Sequence, residues 1–262
     1  MTYEMLSLKK EEEGVAILTL KNPPVNALST KLIDELGKAV AELSHDPAHR
    51  VLIITGDGQF FSAGADLKEI ASKADEFLKS AGDIVRHGQE AYRAIEKMPQ
   101  PVIAAINGLA VGGGLEMTLA CDIRVAGDSA KVGLPEVQYG LMPAYGGTQR
   151  LARTVGLAKA REMIYTGALI NAQEALRIGL VNKVVPSGQE LRASRDMAHT
   201  IAQKAPLAVA GAKKAMLAGF DQDIDTGLQG EAHAFESVSK SEDLLEGIAA
   251  FVERRPPKFA GK

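Results

Sequence analysis

From Val102 to Glu116 the sequence reads Val-Ile-Ala-Ala-Ile-Asn-Gly-Leu-Ala-Val-Gly-Gly-Gly-Leu-Glu. Its first five residues, 102–106, are apolar without interruption, which predicts a strand buried on both faces of a sheet. The glycines that follow favour a tight turn, and the apolar stretch 115–121 predicts a helix after it. A buried strand, a glycine cluster and a helix in this order are typical of an α/β core.

Strands and helices alternate on both sides of this stretch. Strands are predicted at 15–20 and 51–55, and the helix between them begins at Ser29 or Thr30, either of which is a suitable N-cap, and ends near His45. Further short strands and helices follow, the strands at 123–126 and 181–185, the helices at 149–166 and 172–178. We therefore expect a mixed α/β fold with parallel strands.

The last part of the chain has a different pattern. After about residue 188 only helical segments are predicted, with breaks near Pro206, Gly219 and Ser241. We expect an α/β core over residues 1–195 and a C-terminal helical region over residues 196–262.

Composition and charge restrict the class of protein. The 262 residues are 46% hydrophobic and 24% charged, as in ordinary globular enzymes. The net charge of −3 gives no support for binding nucleic acid or an anionic membrane surface. A single cysteine, Cys121, cannot form an intrachain disulfide and fits a reducing compartment. No apolar run is long enough for a membrane span, and the N-terminus lacks a signal region, so we expect a cytoplasmic protein.

Three segments carry candidate functional residues. The first is 60–68, which contains Ser62-Ala63-Gly64-Ala65-Asp66 directly after a predicted strand. The second is 107–116, where glycines at the start of a helix free backbone N–H groups to face an anion. The third is 134–150, which places a second acid, Glu136, in a loop rich in turn residues.

Each segment also has an ordinary structural interpretation. Glycines after strands are usually plain turns, and a lone glutamate such as Glu116 or Glu136 is usually solvated. The glycine clusters do not match the phosphate-binding loop, the nucleophile elbow or the dinucleotide fingerprint. The five histidines form no metal-binding pattern. Only the joint presence of the three segments favours a functional site.

Together these motifs resemble the enoyl-CoA hydratase family of the crotonase superfamily. The resemblance rests on four ordered motifs and on the C-terminal segments 246–248 and 251–255; the motifs are Ser62-Ala63-Gly64-Ala65-Asp66, Val111-Gly112-Gly113-Gly114-Leu115-Glu116, Leu134-Pro135-Glu136 and Gly146-Gly147-Thr148-Gln149-Arg150. It implies a crotonase-like spiral of repeated ββα units, with a C-terminal helical region that forms trimers. It also implies a homohexamer, built as a dimer of trimers.

The resemblance further implies a reaction and its catalytic groups. The backbone N–H groups of Ala65 and Gly113 would form an oxyanion hole for a thioester carbonyl oxygen. Glu116 would take a proton from water and Glu136 would donate one to C2, with the roles reversed in the back reaction. The reaction would be the reversible hydration of a trans-2-enoyl-CoA in the β-oxidation of fatty or branched acids. We expect no metal and no cofactor, because coenzyme A is part of the substrate.

Relatives of this kind bind coenzyme A through several segments. The resemblance implies contacts from the loop 25–28, which includes Ala27, and from Ala63, Asp66, Leu67 and Lys68 of the same subunit. Phe251 and Arg254 would contribute contacts from the neighbouring subunit. Lys68 could equally be a solvated surface lysine. In the acyl pocket the sequence departs from the common pattern Pro-Gly-Ala-Gly-Gly, because Ala144 and Tyr145 add bulk there. Segment 69–93, which lines the acyl tunnel in relatives, does not reveal a chain-length preference.

Three alternative functions remain open from the sequence. A double-bond isomerase could operate with the acid at Glu136 and would not need Glu116 to hold a water. An RNA-binding homologue would be expected to carry a basic surface helix, against which the net acidity argues. A member without catalysis is disfavoured because both acids and both oxyanion-hole positions are intact.

Overall fold

A computed structural model describes residues 3–262 as an α/β protein with two sheets. The strands are β1 (Leu6–Lys10), β2 (Val15–Leu20), β3 (Val51–Gly56), β4 (Phe60–Ser62), β5 (Val102–Ile106), β6 (Leu109–Val111), β7 (Ile123–Gly127), β8 (Lys131–Gly133), β9 (Ile170–Asn171) and β10 (Lys183–Val185). The α-helices are α1 (Thr30–Ser44), α2 (Leu67–Ser72), α3 (Ala74–Lys97), α4 (Gly113–Ala120), α5 (Gly147–Val155), α6 (Leu157–Thr166), α7 (Ala172–Arg177), α8 (Glu190–Ala202), α9 (Pro206–Gly219), α10 (Ile224–Ser239) and α11 (Glu242–Glu253).

The larger sheet has six strands in the order β1-β2-β3-β5-β7-β10. All its neighbours are parallel except β1 and β2. The register aligns Ile17 with Ile53 and Ile53 with Ile103, so one face presents a row of isoleucines that packs against α8. The opposite face packs against α1 and α3 in the main core. Burial on both faces explains why the central strands β3 and β5 are nearly continuous apolar runs.

The smaller sheet has four strands in the order β4-β6-β8-β9. Its first three strands are parallel, and each directly follows a strand of the larger sheet, β3, β5 and β7. A helix comes after each pair, which gives the repeated ββα unit predicted from the sequence. The strands of the smaller sheet have only two or three residues each and lie beside glycine clusters, so periodicity alone did not predict them.

Local sequence signals account for most of the element boundaries. The Ser29 hydroxyl accepts a hydrogen bond from the Leu32 N–H and begins α1, as predicted. The predicted single helix over 149–166 is wrong, because Gly156 adopts φ 81° and separates α5 from α6. The predicted strand 181–185 is shorter in the structure, at Lys183–Val185. The long helix α3 was not predicted.

The C-terminal helices leave the sheet at α9. Residue 195 lies within α8, which packs on the larger sheet through Ala198, so the expected division at residue 195 falls inside a helix. Helix α9 is joined to the core by the Lys213 ammonium, which lies 2.7 Å from an Asp122 carboxylate oxygen. Among residues 3–262, no helix combines the length and the apolar character needed to cross a membrane.

Candidate active site

A cavity of about 510 Å³ lies between α2 and α3 on one side and the loop after β8 on the other. Eight residues predicted from the sequence line it, namely Ala63, Ala65, Leu67, Gly113, Glu116, Glu136, Ala144 and Tyr145. The two candidate acids and the two candidate oxyanion-hole residues are thus brought to one site from three separate segments.

Gly113 begins α4 at the edge of this cavity. The preceding Gly112 has φ 55° and ψ −130°, a conformation that only glycine adopts easily. Among the described residues, no acceptor pairs with the Gly113 N–H, which belongs to the first turn of the helix. A Cβ at Gly113 would lie 2.7 Å from Cδ1 of Leu28, so a side chain there would have to displace Leu28. The free N–H therefore depends on glycine at both positions.

A short parallel bridge between Leu28 and Ala65 orients the second N–H group. The Leu28 N–H donates to the Gly64 carbonyl at 2.8 Å, and the Asp66 N–H donates to the Leu28 carbonyl at 3.3 Å. In a parallel bridge of this kind, the residue between the two bonded groups turns its own N–H to the other side. The N–H of Ala65 is accordingly without a partner among residues 3–262.

The Glu116 carboxyl is buried and is held by the loop that precedes α5. Its Oε1 accepts hydrogen bonds from the Tyr145 N–H at 2.8 Å and from the Gly147 N–H at 2.6 Å. Burial raises the pKa of Glu116 to about 7, with a further rise from the nearby Glu136 carboxylate and a partial offset from the two N–H donors and Arg150. Since Oε1 takes both donors, Oε2 is the oxygen left to act as a base.

Glu136 begins a short 3-10 turn, Glu136–Tyr139, after β8. Its Oε2 is buried and has no hydrogen-bond partner in the described structure. Burial raises the pKa of this carboxyl above its ordinary value, which favours the protonated form. Its other oxygen, Oε1, lies 3.2 Å from the position that a Cβ on Gly112 would occupy. The acid therefore lies against the glycine turn that begins α4.

Arg150 stabilises the loop whose N–H groups donate hydrogen bonds to Glu116. Its Nη1 donates to the Tyr145 carbonyl at 3.0 Å, and its Nη2 donates to Oε2 of Glu96 on α3, also at 3.0 Å. Residue 145 therefore accepts from Arg150 through its carbonyl and donates to Glu116 through its N–H. The sequence motif included Arg150, but it gave no role to this side chain.

Of the predicted coenzyme A contacts, Ala63 and Leu67 line the cavity, whereas Ala27, Asp66 and Lys68 do not. Asp66 caps α2 by accepting from the N–H groups of Lys68 and Glu69, and the Lys68 side chain is exposed. The carbonyl of Ala27 accepts from the Asn22 amide at 2.7 Å. Phe251 and Arg254 lie at the exposed end of α11 and do not line the described cavity. Their role stays a prediction that requires a neighbouring subunit.

Sequence reasoning missed one contribution from α3 and anticipated another. The Tyr92 hydroxyl donates to the Gly113 carbonyl at 2.8 Å and so fixes the start of α4. The apolar side of α3 lines the cavity through Phe77, Ala81, Ile84 and Val85, within the segment 69–93 for which the resemblance implied such a role. For Tyr92 the available signal was an amphipathic pattern over residues 74–97, because Gly88, Ala91, Tyr92 and Ile95 are the buried residues of that helix.

Comparisons with known proteins identify the family of this chain. Residues 10–262 match the profile of the family described as Enoyl-CoA hydratase/isomerase. The chain is 43% identical over 264 residues to a crotonyl-CoA hydratase of Syntrophomonas wolfei, with all of both chains covered. It is 42% identical to a probable enoyl-CoA hydratase of Bacillus subtilis, with 96% of this chain and 97% of that protein covered.

Solved structures give the same result. The crystal structure of an enoyl-CoA hydratase from Bacillus anthracis superposes with a TM-score of 0.95 at 41% identity, covering 99% of this chain and all of that one. An enoyl-CoA hydratase structure from Geobacillus kaustophilus has the same TM-score at 37% identity, covering 100% of this chain and 98% of that one. The similarity therefore extends over the sheets, the cavity and the C-terminal helices.

Proposed function

Because the chain belongs to the enoyl-CoA hydratase/isomerase family, we propose that it is a hydratase that adds water reversibly to a trans-2-enoyl-CoA to give the 3-hydroxyacyl-CoA. The observation that carries the proposal is that one cavity holds the buried Glu116 carboxyl, the half-buried Glu136 carboxyl and two N–H groups without partners among residues 3–262. Hydration needs one group that takes a proton from water and one that gives a proton to C2. A relative that lacked either acid would lack one of these two groups.

In the proposed reaction the thioester carbonyl oxygen accepts hydrogen bonds from the N–H groups of Ala65 and Gly113. Addition of water at C3 drives negative charge onto that oxygen, and one preorganised donor of this type is typically worth about 3 to 4 kcal/mol. These two N–H groups stabilise the charge without a metal ion or a redox cofactor, and coenzyme A enters as part of the substrate.

The two acids divide the proton transfers. In its ionised form Glu116 takes a proton from water through Oε2 as the water oxygen bonds to C3. The protonated Glu136 gives its proton to C2, so the C2–C3 double bond becomes a single bond and water has been added. Burial raises the pKa of both carboxyls, to about 7 for Glu116, so both groups are suited to exchange protons with the substrate and water.

Oligomerisation is part of the proposal. Helices α9 to α11 expose large apolar side chains, among them Met216, Phe220, Ile224, Phe235, Leu245, Ile248 and Phe251. Apolar surface on this scale favours self-association, and it supports a trimer or a dimer of trimers. In such an assembly Phe251 and Arg254 would reach the coenzyme A of a neighbouring subunit. The single cysteine supports a cytoplasmic location, and breakdown of fatty acyl chains is the proposed setting.

The test is a spectrophotometric assay with crotonyl-CoA, following the absorbance of the conjugated thioester. Steady loss of absorbance by the wild type is expected, and Glu116→Gln and Glu136→Gln are each expected to slow it by at least about 100-fold. An enzyme that leaves crotonyl-CoA untouched but converts a 3-enoyl-CoA to the 2-enoyl isomer would be an isomerase instead. Binding of RNA without turnover of either thioester would favour the binding homologue.

A further inference from the structure

Helix α3 passes two cavities in succession. Four residues in its first half line the candidate active site, namely Phe77, Ala81, Ile84 and Val85. Three residues in its second half line a separate cavity of about 680 Å³, namely Gln89, Arg93 and Glu96. Gly88 lies between the two sets along the helix. The boundary between the two cavities therefore lies close to Gly88.

The side chain at this position is Tyr145, which lines both cavities. A Cβ on Gly88 would lie 2.4 Å from Cε1 of Tyr145, so the ring occupies the space that the absent side chain leaves. The ring also meets Tyr92 edge to face, with 5.4 Å between centroids and 85° between planes. The Gln89 amide donates to the Ala144 carbonyl at 2.8 Å and ties the loop to the helix. Tyr145 thus closes the gap between loop and helix.

We propose that Tyr145 ends the acyl channel and restricts the enzyme to short trans-2-enoyl thioesters such as crotonyl-CoA. This inference rests on the proposed hydratase function. Cδ2 of Tyr145 lies 3.7 Å from the position of a Cβ on Gly113, so the ring borders the carbons next to the thioester carbonyl. An acyl chain that extends along α3 from this point meets the ring before it reaches the second cavity.

The second cavity could take a longer chain once the ring is removed. Its wall is mixed, with charged residues that include Arg93, Glu96 and Lys213. Met216 and Leu217 of α9, together with Phe220 directly after that helix, form its apolar part. Burial of one methylene group is worth a factor of about four in an equilibrium constant. A few methylenes that reach these side chains would therefore change relative specificity by at least about tenfold.

The experiment compares kcat/KM for crotonyl-CoA, hexenoyl-CoA and decenoyl-CoA. The wild type is expected to prefer crotonyl-CoA. Tyr145→Ala is expected to raise the ratio of decenoyl-CoA to crotonyl-CoA efficiency by at least about tenfold. Tyr145→Phe keeps the ring and should retain the wild-type profile, and Tyr165→Ala makes the same chemical change on the exposed side of α6 and should also retain it. Should Tyr145→Ala fold poorly, Tyr145→Leu replaces it with the same expected direction.

A reciprocal substitution tests the contact between ring and helix. Gly88→Ala places a methyl group against the Tyr145 ring and is expected to lower the efficiency with crotonyl-CoA by about tenfold, because the displaced ring enters the active site. In the Tyr145→Ala background the same substitution meets no ring and should have little effect. This strong coupling between the two positions is the expected signature of direct contact.

Two results would overturn the inference: a wild type that hydrates decenoyl-CoA as efficiently as crotonyl-CoA, or a Tyr145→Ala profile parallel to that of the wild type. Either leaves the hydratase function intact, since crotonyl-CoA would still be hydrated. Failure of the wild type to hydrate any of the three thioesters would instead contradict the proposed function.

Discussion

Glu116 is a buried carboxyl whose ordinary tendency to ionise is opposed by its surroundings. Its pKa rises from 4.5 to about 7, mainly through burial. Between these two values the unfolded chain has lost the proton and the folded protein has kept it. The stability of the wild type therefore falls as the pH rises through this window, and the loss is complete above about pH 7.

Glu116→Gln removes this titration without a large change of shape. We expect the free energy of unfolding of the variant, relative to the wild type, to rise by up to about 3 kcal/mol between pH 4.5 and about pH 7. Urea denaturation at several pH values and a fixed protein concentration measures this difference. A difference that stays constant with pH would contradict the raised pKa.

Arg150 acts on Glu116 through the backbone of residue 145. Arg150→Met removes the donor to the Tyr145 carbonyl and a positive charge that offsets part of the rise in the pKa of Glu116 caused by burial. We expect kcat to fall by at least about tenfold, since the carboxyl loses its fixed position. The rising limb of the profile of kcat/KM against pH should also move to higher pH.

Arg153 provides the matched control for this substitution. It lies one turn further along α5 and makes an exposed ion pair with Asp221. Arg153→Met should change neither kcat nor the pH profile by more than about twofold, because exposed ion pairs contribute little. Equal effects at the two positions would mean that Arg150 serves only the stability of the helix.

Single residues of the site differ in how far the sequence predicts them. Gly113, Glu116 and Glu136 stand in motifs whose local chemistry is visible in the chain itself. Tyr92 stands in no such motif. Its hydroxyl donates a hydrogen bond to the carbonyl of Gly113, 21 positions away, and this contact exists only after α3 has packed. The hydrogen-bond partners of Glu116 were missed for a related reason. They are backbone N–H groups, and the residue types in a sequence do not show where these groups point.

At the scale of elements, the boundary between α5 and α6 depends on backbone conformation alone. Gly156 has φ 81° and no atom within 4 Å of the position a Cβ would take. Gly156→Ala should therefore destabilise the protein by about 1 to 3 kcal/mol through backbone strain and not through a clash. Thermal or urea unfolding measures the change.

Gly37 is the matched control, because it lies inside α1 with equally open space around it and no positive φ. Gly37→Ala should stabilise the protein by about 0.5 to 1 kcal/mol, since alanine favours the helix. Two identical substitutions are thus expected to have opposite signs. Destabilisation of similar size at both positions would contradict the assignment.

Elements with strong local signals were predicted well. The strands 15–20 and 102–106 are confirmed at their predicted bounds, because a parallel strand buried on both faces is a continuous apolar run. The smaller sheet was missed because its strands are too short to show a period. The break at Gly156 was missed because the apolar spacing continues across it, while the glycine changes the direction of the chain.

For the whole molecule, the exposed apolar side chains of α9 to α11 predict an oligomer. Phe235 on α10 is 69% exposed and Phe251 on α11 is 84% exposed in the single chain. We expect Phe235→Glu to shift the protein towards smaller species in sedimentation velocity, because a buried unpaired carboxylate opposes association. If Phe251 and Arg254 serve a neighbouring subunit, KM for crotonyl-CoA should rise at the same time.

A control for this prediction is Tyr165→Glu on α6, where the side chain is 72% exposed and lies outside the C-terminal helices. Its sedimentation should match that of the wild type. A wild-type protein that sediments as a monomer at all concentrations would contradict the assembly. The composition of the chain could not predict this surface, because apolar residues that cover a core and those that cover a partner have the same periodicity.

The smaller sheet also positions the two N–H groups of the candidate site. Ala65 follows β4 and Gly113 follows β6, and these two strands are hydrogen-bonded neighbours. The positions of the two N–H groups thus depend on the backbone of two paired strands, which lie about 4.8 Å apart, and less on any side chain. The walls of the cavity, by contrast, are side chains on α3 and on the loop before α5. We therefore expect substitutions in these walls to change which acyl chains fit, while the two N–H groups proposed to bind the thioester oxygen keep their positions.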